Sequence, residues 1–440
     1  MPHAHAHVDA SAGELRLSTA ANRLLGVVVA LTLAATVVGM VAIWPHGGVA
    51  RTEQARRAFD GVTIVHGTVV EATAGLCPGL TEDRLPDGSI PEETTCAAAE
   101  VRLGDDAPDG AAGDPVEVQV PLLSYQAGMS PGDAVLVGRY DVASDPSVDP
   151  SVDPSLDPAL GVPVWVWVEY DRQLPLALLA VVFTVLVVLV GRLRGLAAVL
   201  GLGVGYATVF LFMLPALSRG EDPVLVALLG SVAIMTVILY AAHGFTAKTT
   251  AALVGTVAGL GLTAARATWA TRASHLDGSA SETAYQLRQV TGLPDLSGLV
   301  LCGVILAGLG VLNDVTITQS SAVWELRRLA PQSRFRDLFR AGMRIGRDHL
   351  ASTVYTIAFA YAGAALPTLL LISVYDRPFG QTVTSAEIAE EVVRTLVGSI
   401  GLVLAIPLTT AVAALLVLSA RRLRPADRVT EDEAETEPVR

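Results

Sequence analysis

The sequence predicts a polytopic α-helical membrane protein of about eight transmembrane helices, with a small extracytoplasmic β-rich domain between helices one and two. Three observations predict it. Hydrophobic residues make up 52% of the 440 and charged ones only 17%, for a mean hydropathy of +0.51. The apolar residues gather in stretches of about 20, the length that crosses roughly 30 Å of hydrocarbon. The charge is also segregated: residues 44–173 hold 22 acids against 7 arginines, or −15, which exceeds the −13 of the whole chain. The acidity therefore belongs to one soluble insert and to the tail "EDEAETEP", and it argues against a nucleic-acid partner.

The spans follow in order as 23–43, 174–191, 195–217, 223–242, 248–267, 297–319, 350–375 and 393–419. Arginine placement orients them, because Lys and Arg stay on the cytoplasmic side. "GRLRG" (191–195), the seven arginines of 325–349 and "RRLR" (421–424) all fall inside when the N-terminal tail, 1–22, is cytoplasmic. The charged tail 421–440 is then cytoplasmic as well, and the loops 268–296 and 376–392 are external. The first span reads as an uncleaved signal-anchor, since "WPHGG" after it lacks a small-x-small cleavage site; a cleaved signal peptide is the alternative.

Residues 44–144 form the external β-rich domain in this reading. "VTIVHGTVVEA", "EVQVPLL" and "DAVLVGRY" are Val-rich runs separated by Gly, Pro and Asp, the pattern of strands in a small barrel or sandwich. "DPSVDPSVDPSLDP" lies in a solvated linker, 145–160, before the membrane domain of seven helices at 161–420. Trp165, Trp167 and Tyr170 in "VPVWVWVEYDRQ" are placed for the interfacial aromatic belt. Cys77 and Cys96 share the insert, where an oxidising exterior favours a disulfide; two unpaired thiols are the alternative. Cys302 reads as a small core residue of the sixth span.

"GVLNDVTITQSSAVWELRR" (310–328) carries the first candidate chemistry. A carboxylate in lipid is costly, so Asp314 asks for a reason. At 100° per residue, Asn313, Thr316 and Ser320 form one polar stripe, and Asp314, Thr318 and Ser321 a second beside it. Val311, Leu312 and Val315 fill the opposite arc, so the polar face is expected to turn toward other helices or a water-filled cavity. Helix-to-helix hydrogen bonding is the competing explanation.

"GFTAKTT" holds Lys248, the only lysine, at the start of the fifth span; it is either a counter-charge for Asp314 or a marker of topology. It lacks the spacing of a phosphate loop. "GMRIGRDHLASTVYT" (342–356) places Arg347 and Asp348 at the same level, with Asp348 also read as a helix cap. Gly201-xxx-Gly205 and Gly255-xxx-Gly259 are small-residue spacings for close helix packing, while Pro215, Pro367 and Pro407 are sites for kinks. "HAHAH" (3–7) reads as incidental to metal binding. With no Ser-His-Asp, H-E-x-x-H or nucleophile-elbow pattern, the expectation is a non-enzyme without metal or cofactor.

"AAHGFTAKTTAALVGTVAGL", "GVLNDVTITQSSAVWEL" and "GMRIGRDHLASTVYTIAFAYAGAALP", in that order, resemble the YibE/F family of bacterial multi-pass membrane proteins. The resemblance covers roughly 160–420 and departs from the family's pattern at "DHLASTVYT". It implies a multi-pass architecture, in a family sometimes suspected of transport, without a substrate. The expected function is a plasma-membrane transporter or permease for an unknown small solute or ion. Its polar site in the cytoplasmic half comprises Asn313, Asp314, Thr316, Thr318, Lys248, Arg347 and Asp348. Asp314 is the proton or ion acceptor, Asn313 and Thr318 coordinate, and Lys248 or Arg347 supplies the counter-charge. The alternative is a non-transport scaffold or envelope sensor acting through the external domain. Partners are the bilayer, a homo-oligomer or an envelope protein.

Overall fold

A computed structural model describes residues 15–53, 55–56, 62–78, 89–140, 164–280, 282–293, 296–374 and 378–422. The linker 145–160, the "HAHAH" stretch, the tail beyond 422 and the side chain of Cys77 lie outside the described residues. The chain divides into two compact units, one of residues 51–186 and one of residues 1–50 with 187–440.

The first unit is built on a five-stranded antiparallel sheet. Its strands are β2 (Val62–Pro78), β3 (Glu93–Leu103), β4 (Pro115–Val120), β5 (Ala134–Tyr140) and β6 (Val164–Tyr170), in the order β4-β3-β2-β5-β6. The edge strands β4 and β6 also approach one another, so the sheet curls toward a small barrel. Alternation sets its core: Val65, Val69, Val101, Val118, Val135 and Val137 are buried, with Ala97 and Ala99 filling the centre of β3. Trp165 and Trp167 pack on this core, and the Tyr170 hydroxyl donates to the Ser124 carbonyl at 2.7 Å. These aromatics therefore belong to a strand of the sheet, which corrects the belt assignment. Cys96 on β3 is disulfide-bonded, whereas Cys302 is free and buried in the other unit.

The second unit is a helical bundle. It comprises α1 (Thr19–Ala42), the later part of α3 (Gln173–Thr208), α4 (Pro223–His243), α5 (Ala247–Ala273), α6 (Glu282–Thr291), α7 (Ser297–Leu329), α8 (Phe335–Ala364), α9 (Leu366–Val374), α10 (Phe379–Val383) and α11 (Ala386–Leu418); α2 (Leu122–Gln126) belongs to the sheet unit. Six helices among the described residues are long and apolar enough to cross a membrane. One of them, Gln173–Ser218, counts 46 residues, about 69 Å of helix, more than twice the hydrocarbon thickness. It breaks at Arg192, where φ is 53° and ψ −133°, and Gly195 just beyond sits against the backbone of Val187. None of its most apolar window is buried, and Leu178, Leu179, Val182 and Phe183 lie bare; lipid is the solvent in which such a surface is stable.

Three helices, α5, α7 and α11, form the centre, with α4 and α8 packed around them. Small residues let the backbones meet. Thr263 of α5 is fully buried between Gly308 of α7 and Gly401 of α11, and Gly255 faces Thr409. Gly201 and Gly205 face Ile238 and Ile234 of α4, and Gly259 faces Leu312. The stretch 325–349, expected as a loop, is largely helical: α7 runs on to Leu329 and α8 begins at Phe335. Asp337 supplies the acceptor for the Arg334 N–H at its start, so Asp348, in mid-helix, is not a cap. At the ends of the bundle β1 (Leu15–Leu17) pairs antiparallel with β7 (Ala420–Arg422), setting the chain's entry beside its exit.

Candidate functional site

Asp314 and His349 meet across α7 and α8. The His349 Nε2 lies 3.0 Å from Asp314 Oδ2, with side chains 32% and 63% exposed respectively. Asp314 is 17 residues along α7 from Ser297, about 26 Å, near the middle of a 33-residue helix. The pair sits on the outer surface of the bundle and behind it the helix is dry: Leu312 and Val315 are fully buried. The orientation of α7 thus corrects the expected one, because the Val and Leu arc faces the core and Asp314 and Thr318 face outward.

The inner polar stripe goes to the core. Thr316 and Ser320 are fully buried, and the Thr316 and Thr256 hydroxyls stand 2.7 Å apart, joining α7 to α5. The Ser320 hydroxyl donates to the Lys248 carbonyl at 2.8 Å. One turn away, Gln319 is 1% exposed and ties three helices. The Thr410 hydroxyl spends its only proton on the Ile406 carbonyl at 2.6 Å, so Gln319 must donate to Thr410. With the amide so oriented its nitrogen donates to Thr410 Oγ1 at 3.0 Å and to the Gly342 carbonyl at 3.2 Å, while its oxygen accepts from the Gly346 N–H at 3.2 Å. Gly342 and Gly346 allow this approach, since a Cβ at 346 would stand 2.8 Å from the amide oxygen in this orientation.

Several expected partnerships do not form. Lys248 is level with Ser320, six residues or about 9 Å beyond Asp314 along α7, and roughly 240° around it. Arg347 is two residues from His349, roughly 200° around α8, and points elsewhere. Asp348 is exposed and likewise apart from the pair. The Thr318 hydroxyl donates back to the Asp314 carbonyl, so it is not a coordinating group toward the carboxylate. Asn313 Oδ1 is buried without a hydrogen-bond partner, and the Thr316 hydroxyl also reaches the Asn313 carbonyl at 3.3 Å. Sequence reasoning missed His349, Gln319, Thr256 and Thr410. Only His349 left a signal, as an ionisable residue within "GRDHLAST".

A second titratable cluster lies in the sheet unit. His66 Nδ1 is 2.7 Å from Asp106 Oδ2, its Nε2 is 3.2 Å from Gln173 Nε2, and Asp171 stands at 3.7 Å. The His66 N–H also donates to Asp106. The hydrogen bond to Asp106 raises the His66 pKa above its ordinary value; desolvation opposes it and the charges of Asp106 and Asp171 add to it. For Asp106, partial burial pushes upward but is outweighed by hydrogen bonds from the His66 side chain and backbone, so its pKa is lowered. Among the described residues no group of three or more His, Cys, Asp or Glu side chains is arranged to hold a metal ion.

The comparisons with known proteins bear on the helical part. The sequence model of the YibE/F-like protein family matches residues 179–419. The chain belongs to this family. The matched region runs from the apolar body of α3 through α11 and contains Asp314, His349 and the Gln319 junction, while the five-stranded sheet lies outside it. No curated protein and no solved structure matches the chain.

Proposed function

We propose that this YibE/F-like membrane protein is a plasma-membrane permease for a small solute or ion, coupled through the Asp314–His349 pair. The observation that carries the reading is the hydrogen bond between these two ionisable groups at mid-helix. Helix packing has no need of it, because the buried contacts of α7 are made by Leu312, Val315, Thr316 and Gln319. An ionisable pair kept at membrane depth, on the rim of the bundle, suits exchange of a proton or cation with a passing solute. The buried hydroxyls and the Gln319 junction hold α5, α7, α8 and α11 in register behind it.

Eight spans fit this reading. The break at Arg192 divides α3 into two, and the apolar end of α8 continues through α9 as another. The β1–β7 pairing supports an even number of crossings, since entry and exit share one face. Arginines 327–347 then lie on the cytoplasmic side and residues 44–173 outside, where the Cys96 disulfide is at home. A deletion strain complemented by wild-type chain or by Asp314→Asn tests the reading through its metabolite profile. Complementation by D314N equal to wild type would sink it.

An external sensor is the second reading, and one observation favours it. A cleft of about 410 Å³ on the sheet is lined by Glu71, Glu100 and Glu117, which stand opposite one another across β2, β3 and β4. Removing residues 50–160 separates the two, because a permease retains flux without them and a sensor loses its output.

A further inference from the structure

The Asp314–His349 reading leaves Lys248, the only lysine, without a role, and the structure sets two further basic groups beside it. The later part of α3 runs antiparallel to α4, with Gly201 against Ile238 and Gly205 against Ile234. Arg194 lies seven residues, about 10 Å, before Gly201 and on the same face, so it is level with the end of α4. His243 closes α4, and Lys248 stands five residues later in the first turn of α5. The charges of Arg194 and Lys248 both act on the His243 ring, and among the described residues no carboxylate does. Three helices thus bring one basic side chain each to a single corner of the bundle.

Among the described residues nothing at this corner neutralises the charge. Residues 187–220 and 223–273 contain no acidic side chain. The two carboxylates of α7 are engaged, Asp314 with His349 and Glu325 with Arg328. The Arg194 and Lys248 side chains make neither an ion pair nor a hydrogen bond among the described residues. The start of α5 is itself satisfied, since Thr246 Oγ1 accepts from the Thr249 N–H at 3.1 Å, so the positive potential comes from side chains.

The surface beside these groups is apolar. Leu193, Leu200 and Val204 share one bare face of α3 over about 16 Å, with Leu193 82% exposed. Phe245, between His243 and Lys248, is 88% exposed and stacks on Tyr240 with ring centroids 4.5 Å apart. A basic corner continuous with a bare apolar strip matches an amphiphile of opposite charge, whereas a free anion would leave the strip unused. We propose that the corner binds an anionic phospholipid, its phosphate on Arg194, His243 and Lys248 and an acyl chain along Leu193, Leu200 and Val204. The site uses neither Asp314 nor His349, so it stands apart from the transport reading.

The test is native mass spectrometry of the full chain from detergent micelles doped with equal amounts of phosphatidylglycerol and phosphatidylcholine. Wild type should retain one phosphatidylglycerol in preference to phosphatidylcholine. Lys248→Gln and Arg194→Gln should each weaken that preference about fivefold, the factor that one basic residue contributes at an anionic surface. Lys248→Arg should preserve it, and so should Arg336→Gln, which removes an exposed arginine of α8 away from the corner. Millimolar glycerol phosphate should not displace the lipid, because it lacks the chain that lies on α3. Displacement by glycerol phosphate would identify a soluble phosphate ligand and overturn the lipid assignment. An equal loss in R336Q would reduce the effect to net charge and overturn it too. So would the absence of any preference, the result expected if the acidic stretch 431–437, outside the described residues, fills the corner instead.

Discussion

Replacing Gly401 by alanine strikes the point where α5, α7 and α11 come closest. An added Cβ would stand well inside 3.0 Å of the Thr263 hydroxyl oxygen, yet 3.5 Å from Thr263 Cβ, which is ordinary contact. The clash is thus with one atom. Thr263 cannot retreat freely: it is fully buried, its methyl lies against Gly308, and its hydroxyl donates to the Gly259 carbonyl at 2.9 Å. Overpacking of this kind costs roughly 1–3 kcal/mol. Thr263→Ala alone forfeits the hydroxyl bond, about 0.6 kcal/mol in a membrane, and some packing. Because T263A also removes the atom that the new methyl group would strike, the double variant should lose less than the sum, with a coupling of about 1–2 kcal/mol. Thr263→Val keeps the shape without the hydroxyl and should give no relief. The assay is steric-trapping unfolding in bicelles for G401A, T263A, T263V and the two doubles. Additivity within about 0.5 kcal/mol, or equal relief by T263V, would refute the packing argument.

Two further outcomes follow from the polar groups. Gln319→Met should cost about 1–2 kcal/mol, three membrane hydrogen bonds at about 0.6 kcal/mol each, whereas Gln319→Glu should cost more by burying a charge among Thr410, Gly342 and Gly346; the same steric-trapping assay ranks them, and a milder Glu variant would contradict the junction. In the sheet unit, the raised pKa of His66 means its contribution is fully present below the ordinary histidine value and is lost as pH rises through the folded one, while Asp106, with a lowered pKa, contributes above the ordinary carboxylate range and fades as pH falls through its folded value. With His66 half-exposed the effect stays below about 1 kcal/mol; hydrogen exchange around residues 104–107 should be slowest in the mildly acidic window between these limits, and His66→Gln should flatten the dependence on its alkaline side.

The legible parts of the sequence were those with one dominant period. β2, β4 and β5 alternate Val with polar residues and fall where expected. β3 did not announce itself, because a central strand under close neighbours uses Ala97 and Ala99 rather than β-branched residues. β6 misled because an alternating Trp/Val run fits both a strand and an interfacial belt. The amphipathic start of α8 was readable but hidden by its charge: Arg336, Arg340, Arg344 and Arg347 recur at helical spacing opposite the buried Leu338, Gly342 and Gly346. At the candidate site the sequence pointed to Asp314 and misassigned its partner, since both Lys248 and Arg347 offered a charge and only three-dimensional register favours His349. Contacts such as Gln319 with Thr410, 91 residues apart, had no local signal at all.

The central claim is that Asp314 and His349 couple movement of a solute to a proton or cation. Full-length chain in proteoliposomes, adsorbed to a solid-supported membrane and challenged with the small-molecule fraction of a cell extract under an imposed pH gradient, tests it most directly. Wild type and Asp348→Asn should give a transient current, and Asp314→Asn and His349→Gln should give none while inserting normally. A D314N current equal to wild type would contradict the account.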